Sequence, residues 1–556
     1  MGLSYRDCGA LVAFCAAMIP AAAGAQGISM DRIEAIEKQI RDLQNQLQQL
    51  KGELGEAKQQ LRQSKGEAQR AKDQLRQAQE AAQQAQQDAA KAATAQSQAT
   101  QAATQAQAAA AAAPPAPAAP SEGIKVAFPG GRPTISSSDG RMSFAIGNQT
   151  QFDYGTYYQN PNSNTQFPDL NNGVNLRRER IFFVAKFDDF TLNVTPDFGG
   201  SPDGVNTSQY LYEANLNFTG FKPITATLGY FKPWFSLYDS QSSNDFLLME
   251  RPSIIEISRN VAAGDARATF PSIKASNEIS LPWGSGSYFA AVAFTGAPYG
   301  AQTSSLLNGE QLGMVGRLAG RPYYDEDWNF HIDVSGENVF HPNINSGGTP
   351  GVSRETLSFG DRPEDRAADQ NKLINTGSLS SSSASVIGGE VAGNWRNLLL
   401  QGGYYQIHDI QSKLPGVPAP GLSFNGGYVE AGWNITGEPF RYNVGSAAFA
   451  RPKVDDPFII NENGFSPGLG AWQLAARWSV MNLNSNVTPG VSQSKTGGIF
   501  GGYQQIFGAA LSWYPNDWIR FELQFQYSQV NKLDPTGKNQ IGQHFDTLAG
   551  RMQVAF

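Results

Sequence analysis

The stretch WIRFELQFQYSQ near the C-terminus limits the possible folds more than any other part of the chain. Ile519, Phe521, Leu523, Phe525 and Tyr527 alternate without a break with Arg520, Glu522, Gln524, Gln526 and Ser528. A two-residue period makes a strand with one apolar and one wet face. The final residues repeat it, with Leu548, Met552, Val554 and Phe556 on one parity and Thr547, Arg551 and Gln553 on the other. So do FTLNVTPDF, where Phe190, Leu192 and Val194 oppose Thr191, Asn193 and Thr195, and YLYEANLNFT, where Tyr210, Tyr212, Ala214, Leu216 and Phe218 oppose Glu213, Asn215, Asn217 and Thr219. An apolar row backed by a polar one, strand after strand, is what a water-filled membrane barrel requires.

Beyond the first 25 residues no run of about 20 apolar residues occurs, which removes a transmembrane helix. In lipid the remaining way to satisfy every backbone group is a closed barrel. The β texture extends over residues 134–556, and at roughly 26 residues per strand and connection it accommodates about 16 antiparallel strands, with 18 left open. LSWYPNDWI brackets a turn with Trp513, Tyr514 and Trp518, the form of a short periplasmic turn between interfacial aromatics. Long polar segments such as residues 378–385 are expected as external loops. Phe556 is expected to close the barrel by pairing the last strand with the first, its ring in the interfacial girdle.

The N-terminal part reads differently. Arg6, the apolar run of residues 10–19 and Ala23-Gly24-Ala25 form the pattern of a secretory signal peptide over residues 1–25. Cys8 and Cys15 both lie inside it, so the mature chain is expected to lack thiols. Over residues 26–100 the apolar positions step by three and four, from Ile33, Ile36 and Ile40 through Leu43, Leu47, Leu50 and Leu54 to alanines. That is a heptad coiled coil, with isoleucines in the first heptad that favour three helices and a length of about 90 Å from Ile33 to Ala92. A single solvated helix is the other reading, supported by Gly52, Gly55 and Gly66. Residues 101–133 are an Ala/Pro-rich linker, with Pro114, Pro115, Pro117 and Pro120 ending any helix.

Composition narrows the function. Of 42 Lys/Arg and 49 Asp/Glu, 12 and 11 fall in the first 120 positions, so the remainder is acidic by 8 and carries no footprint for nucleic acid. Only four histidines occur (His331, His341, His408, His544), none at helix-face ligand spacing. No convergent Ser/His/acid set can be drawn from them. A non-enzymatic protein without cofactor or metal is expected.

The blocks GRPTISSSDGRMSF, NLRRERIFFVAKF, EANLNFTGFKP with LGYFKPWFSL, FNGGYVEAGWNITGEPFRY, GAWQLAARWS and GAALSWYPNDWIRFELQF follow one another over about residues 131–556. In this order the chain resembles the phosphate-selective porin family of the O/P type. The resemblance implies a 16-stranded trimeric outer-membrane porin whose constriction carries arginines and lysines that draw anions through. Family members with an N-terminal coiled coil fit residues 33–92. By the same resemblance Arg177 and Arg178 match paired arginines of the family, and Arg251 in FLLMERPS matches an arginine of the constriction loop. Two departures stand out. Asp239 follows LGYFKPWFSLY where phosphate-selecting members carry a lysine, and Ser358 and Gly360 share the parity of Arg362, which leaves Arg354, Arg362 and Arg366 widely spaced.

In a pore, selectivity resides in the charges that face the lumen where it narrows. Parity puts Arg178, Arg180 and Lys186 opposite Ile181, Phe183, Ala185 and Phe187, so these arginines are expected to point into water. The connection over residues 238–270 is long for a barrel. Folded inward it narrows the pore and brings Arg251, Arg259 and Arg267 near the wall. The expected anion-attracting constriction is thus Arg177, Arg178, Arg180, Arg251, Arg259 and Arg362, where low-dielectric walls focus the field of a few guanidinium groups. The competing reading pairs them with Glu179, Glu250 and Glu256. Lys232 shares parity with Leu228 and Tyr230 and is expected at the rim. The leading expectation is a channel for passive diffusion of small hydrophilic solutes with a preference for anions or phosphate, homotrimeric and surrounded by outer-membrane lipid. The alternative is a structural protein whose periplasmic coiled coil tethers the membrane to the cell wall.

Overall fold

The computed structural model describes residues 123–159, 169–200, 211–263, 267–298, 311–342, 355–367, 371–413, 416, 418–462 and 464–556. The signal peptide and the coiled coil expected from the sequence lie outside the described residues. No helix among the described residues is long and apolar enough to cross a membrane.

Sixteen antiparallel strands form the wall. They are β1 (Met142–Gln159), β2 (Gly173–Phe187), β3 (Phe190–Pro196), β4 (Leu211–Phe218), β5 (Ile224–Phe231), β6 (Arg267–Leu281), β7 (Gly284–Pro298) and β8 (Leu312–Tyr324). The second half comprises β9 (Trp328–His341), β10 (Ile374–Trp395), β11 (Leu398–Gln411), β12 (Leu422–Asn434), β13 (Ala471–Ser485), β14 (Ile499–Asn516), β15 (Ile519–Asn531) and β16 (His544–Ala555). Each pairs with its neighbours, and β16 returns to β1 from Phe545↔Gln159 to Ala555↔Gln149, which closes the wall. Closure leaves no edge, the condition lipid imposes. Phe556 extends the seam: its N–H donates to the Asn148 carbonyl and its carbonyl accepts from the Asn148 N–H, both at 3.1 Å.

The alternation read in the sequence is the alternation of the wall. Phe521, Leu523, Phe525, Leu548 and Met552 face outward and are exposed, whereas Arg520, Glu522, Gln524, Thr547 and Arg551 are buried inside. Aromatic side chains collect on the outer face at the end where the connections are short, with Trp328 stacked on Trp395 at 6.0 Å and Trp513 on Trp472 at 5.8 Å. This is an interfacial girdle.

One expected loop is a strand. Residues 378–385 belong to β10, where Ser383 and Ser385 pair with Ile410 and His408 of β11 and Ser378 and Ser380 pair with Ser358 and Thr356 of the short strand Thr356–Asp361. Polar composition predicted a loop, but once two neighbours satisfy the backbone, serine has no reason to leave the ladder.

Candidate functional site

Three segments enter the barrel. The first follows β5 and carries α1 (Leu237–Ser240) and α2 (Ser253–Arg259). It leans on β10–β12, where the inward row carries apolar side chains: Val386, Tyr405, Ile407, Phe424 and Tyr428 form one buried cluster with Phe235, Ile254, Ile255 and Ile257. Burying each such side chain is worth about 1.5–3 kcal/mol. Wall glycines leave room for it. A Cβ on Gly432 or Gly508 would stand 2.8 Å from Leu247 or Leu248. The second segment is residues 361–367, between the short strand Thr356–Asp361 and β10. The third is the connection from β12 to β13, whose hairpin Arg441–Asn443 and Ala448–Ala450 rises from the short-turn end. Sequence length flagged the first segment alone.

The arginines of β2 sit at a register irregularity. Gln151 pairs with Arg178 and Phe152 with Leu176, so Arg177 is an extra residue in the strand. A bulge of this kind lets two consecutive side chains turn to one face, and both arginines are buried inward. Arg177 grips Glu250 of the first inward segment through two hydrogen bonds of 2.8 and 2.9 Å. Arg178 reaches the same carboxylate at 3.4 Å and donates to Gln151. Arg551 of β16 adds a contact of 2.9 Å to Glu250, together with a two-pronged bond to Asp153. Burial alone would raise the Glu250 carboxyl, but Arg177, Arg178 and Arg551 hold it well below the usual carboxylate range.

The other expected residues are likewise engaged. Arg180 bonds Asp197 at 2.7 Å and stacks 3.4 Å from the centre of the Tyr212 ring. Arg259 bonds Asp239 at 2.7 Å, and Arg251 lies 3.4 Å from the same carboxylate. Glu256 reaches Arg251, Arg259 and, at 2.9 Å, Arg366. Arg362 is buried in the second segment, its carbonyl accepting from the Ser253 hydroxyl at 3.4 Å. In the same segment Glu364 holds Arg477 of β13 at 2.7 Å. Arg178 and Arg180 therefore face the lumen as parity predicts and Arg177 joins them through the bulge, yet the arginines are packed against acidic partners and the inward segments instead of standing in open water. Glu250 and Glu256 are pairing partners, as the competing reading has it. Glu179 faces outward, bonded to Thr150 at 2.7 Å. Arg477 and Arg551 were missed as site residues, although each lies on the wet row of its strand.

Opposite the apolar side the lumen remains open. A cavity of about 530 Å³ runs along β2–β6 beside α1. Its wall carries Thr191, Asn193, Asn215, Asn217, Thr225 and Thr227, with Phe182, Tyr212, Phe231 and Trp234 around them. Tyr212 is lipid-facing by parity. A register shift between Thr195 and Pro196 makes it an extra residue, and its ring turns in beneath Arg180. Lys232 also lines this cavity, because the chain leaves the wall at Phe231 and parity no longer applies.

The hairpin from below meets this arrangement. Lys274 donates to the Gly445 carbonyl at 3.0 Å, and Arg317 donates to the carbonyls of Ser446 and Ala447, each at 3.0 Å, while bonded to Asp333. Phe449 shares a buried cluster with Leu237 of α1. No group of His, Cys, Asp and Glu suited to a metal ion occurs among the described residues.

A family model described as phosphate-selective porin O and P matches residues 144–556. A Caulobacter vibrioides protein described as uncharacterized is 28% identical over 134 residues, 24% of this chain, and the match spans 23% of that relative's length. Similar solved structures include in-vitro folded OmpT of Vibrio cholerae, at 9% identity and a TM-score of 0.41, covering 75% of this chain and 98% of that one. An anion-selective porin from Comamonas acidovorans matches at 9% identity and a TM-score of 0.41, covering 75% of this chain and 100% of that one.

Proposed function

The chain belongs to the phosphate-selective porin O and P family, and from that membership we propose that its barrel is an outer-membrane channel for the passive diffusion of small hydrophilic solutes. The observation that carries the reading is the polar cavity of about 530 Å³ along β2–β6, inside a closed wall whose outer face is apolar. Arg177, Arg178, Arg180, Arg251, Arg259 and Arg362 form the constriction. Their carboxylate partners cancel most of the field that a bare guanidinium cluster would focus, so the proposed preference for anions is mild and phosphate is not singled out.

The subunits assemble as a homotrimer, with the heptads of residues 26–100 in the periplasm and available for contact with the cell wall. Glu179 supports association. It stands on the outer face between Phe187 toward one end and Tyr154 and Tyr158 toward the other, where lipid is a poor solvent for a carboxylate. Purified protein in a planar bilayer should give stable conductance that scales with salt, in triple steps. Folded protein that never conducts would refute the channel.

A further inference from the structure

The cavity along β2–β6 has a hydrogen-bonding pattern that discriminates among solutes. Asn193 and Asn217 both donate to the Asn215 amide oxygen, at 3.0 and 2.8 Å, and Thr227 donates to the Asn217 oxygen at 2.6 Å. Asn215 donates in turn to Glu213 at 3.3 Å. The amides thus form a ladder across β3, β4 and β5, fixed by its own bonds. An amide offers two N–H donors and an oxygen with two acceptor sites. After these bonds the ladder keeps the Asn193 oxygen, one site on the Asn217 oxygen and one N–H on each of the three amides. The Thr191 and Thr225 hydroxyls stand beside them at the cavity.

An anion accepts hydrogen bonds and donates none, so such a wall wastes its acceptors on it. A metal cation meets the converse mismatch. A neutral hydroxyl both donates and accepts, and adjacent hydroxyls on a sugar ring match a row in which donors and acceptors alternate. The charges at the cavity do not override this. Arg180 is committed to Asp197 and Asp239 to Arg259, Glu213 accepts from Thr195 and Asn215 with the Lys232 charge acting on it, and Lys274 donates to the Gly445 carbonyl beside the Trp234 ring. Beside the polar groups of Gln149 and residues 240–243, the lining adds the rings of Phe182, Tyr212, Phe231 and Trp234, the complement of the C–H faces of a pyranose.

We propose that the β2–β6 cavity is a binding subsite for neutral polyhydroxylated solutes of mono- to disaccharide size, held by the Asn193–Asn215–Asn217 ladder and the Trp234 and Tyr212 rings. The assignment rests on the channel reading and names its solute class. The test is ion-current block of the full chain in a planar bilayer, with maltose as the probe and inorganic phosphate as its competitor. Maltose should interrupt the current with saturation in the millimolar range, and phosphate at equal concentration should not. Asn193→Ala and Trp234→Ala should each raise the half-blocking maltose concentration about three- to tenfold, with the block of each variant scored as a fraction of that variant's own open current. Conductance without maltose block, or block by phosphate at lower concentration than by maltose, overturns the subsite and leaves the channel standing. Absence of any conductance overturns the channel and the subsite with it.

Discussion

Glu250 is the residue on which the charge of the constriction turns. One carboxylate serves Arg177, Arg178 and Arg551, all of them buried. Glu250→Gln leaves Asp153 as the carboxylate bonded to that cluster, with Glu522 acting on Arg551 from nearby, and should do two things. It should destabilise the barrel by about 3 kcal/mol, the cost of breaking a buried pair, read as a lower thermal unfolding temperature in detergent. It should also shift the reversal potential in a salt gradient toward anions, because an uncompensated guanidinium cluster now faces the passage. An unchanged reversal potential in folded protein would mean that these arginines do not see the permeating ions. Asp365 gives a pH dependence of known sign. Burial in the second inward segment pushes its carboxyl up to about 6. A carboxyl raised in the folded state contributes stability below its unfolded value near 4 and loses that contribution as pH rises through about 6. Between pH 4 and 7.5 the wild type should therefore lose about 2–3 kcal/mol from this group, and Asp365→Asn should abolish that part of the slope. Which arginines face inward was legible from parity, as Arg178 and Arg180 demonstrate. The pairing of arginines with Glu250 and Glu256 was legible only as the competing reading, and Glu364 was not legible, because these carboxylates come from other segments whose path through the lumen leaves no periodic signal.

At the scale of elements, period-two alternation located the strands and failed where a second physical demand met it. Bulges at Arg177 and Tyr212 turn side chains against parity, and nothing in a one-residue insertion marks it before the pairing is known. The first inward segment left a trace besides its length, whereas the hairpin between β12 and β13 left none. β10, β11 and β12 carry apolar residues on both faces, Tyr405 and Ile407 inside against Tyr404 and Ile410 outside, and a lumen row that is apolar must be covered by protein. The hairpin itself is held mainly through its backbone: Lys274 and Arg317 grip three tip carbonyls. Exchanging tip residues should therefore matter little, whereas removing the donor should matter. Arg317→Met should free the hairpin, seen as faster hydrogen exchange at residues 441–450 and a larger, noisier single-channel current. Unaltered exchange there would show that Phe449 and Phe440, packed on Leu237 and Leu247, hold the hairpin without the arginine.

For the whole molecule, the outer surface divides into a lipid side and a side that lipid does not suit. Around β7–β15 the middle of the outward row is apolar, with Phe294, Leu318, Val334, Val391, Leu400, Val429, Trp478 and Leu523 exposed on it. On β1 and β2 it is interrupted by Asn148, Thr150 and Glu179, which bond to one another at 2.7–3.3 Å. Nearby β5 has 8 residues, which at a tilt near 40° span about 20 Å, less than the apolar band of about 25 Å that a barrel presents to lipid. A low wall and a carboxylate within the band are both tolerable if another protein surface covers them, and a second copy of the chain meets that requirement by symmetry. The β1–β5 side should accordingly form the contact between subunits. Thr150→Trp, which places a bulky ring on that face without touching the lumen, should yield folded monomers in mild detergent by light scattering, while Val391→Trp on β10 leaves the oligomer intact. Deleting residues 26–120 separates the roles of the two parts of the chain. If the barrel faces carry the association, the shortened protein remains oligomeric and conducts. If it falls to monomers, the heptads hold the assembly and the polar patch on β1 and β2 must be covered in another way.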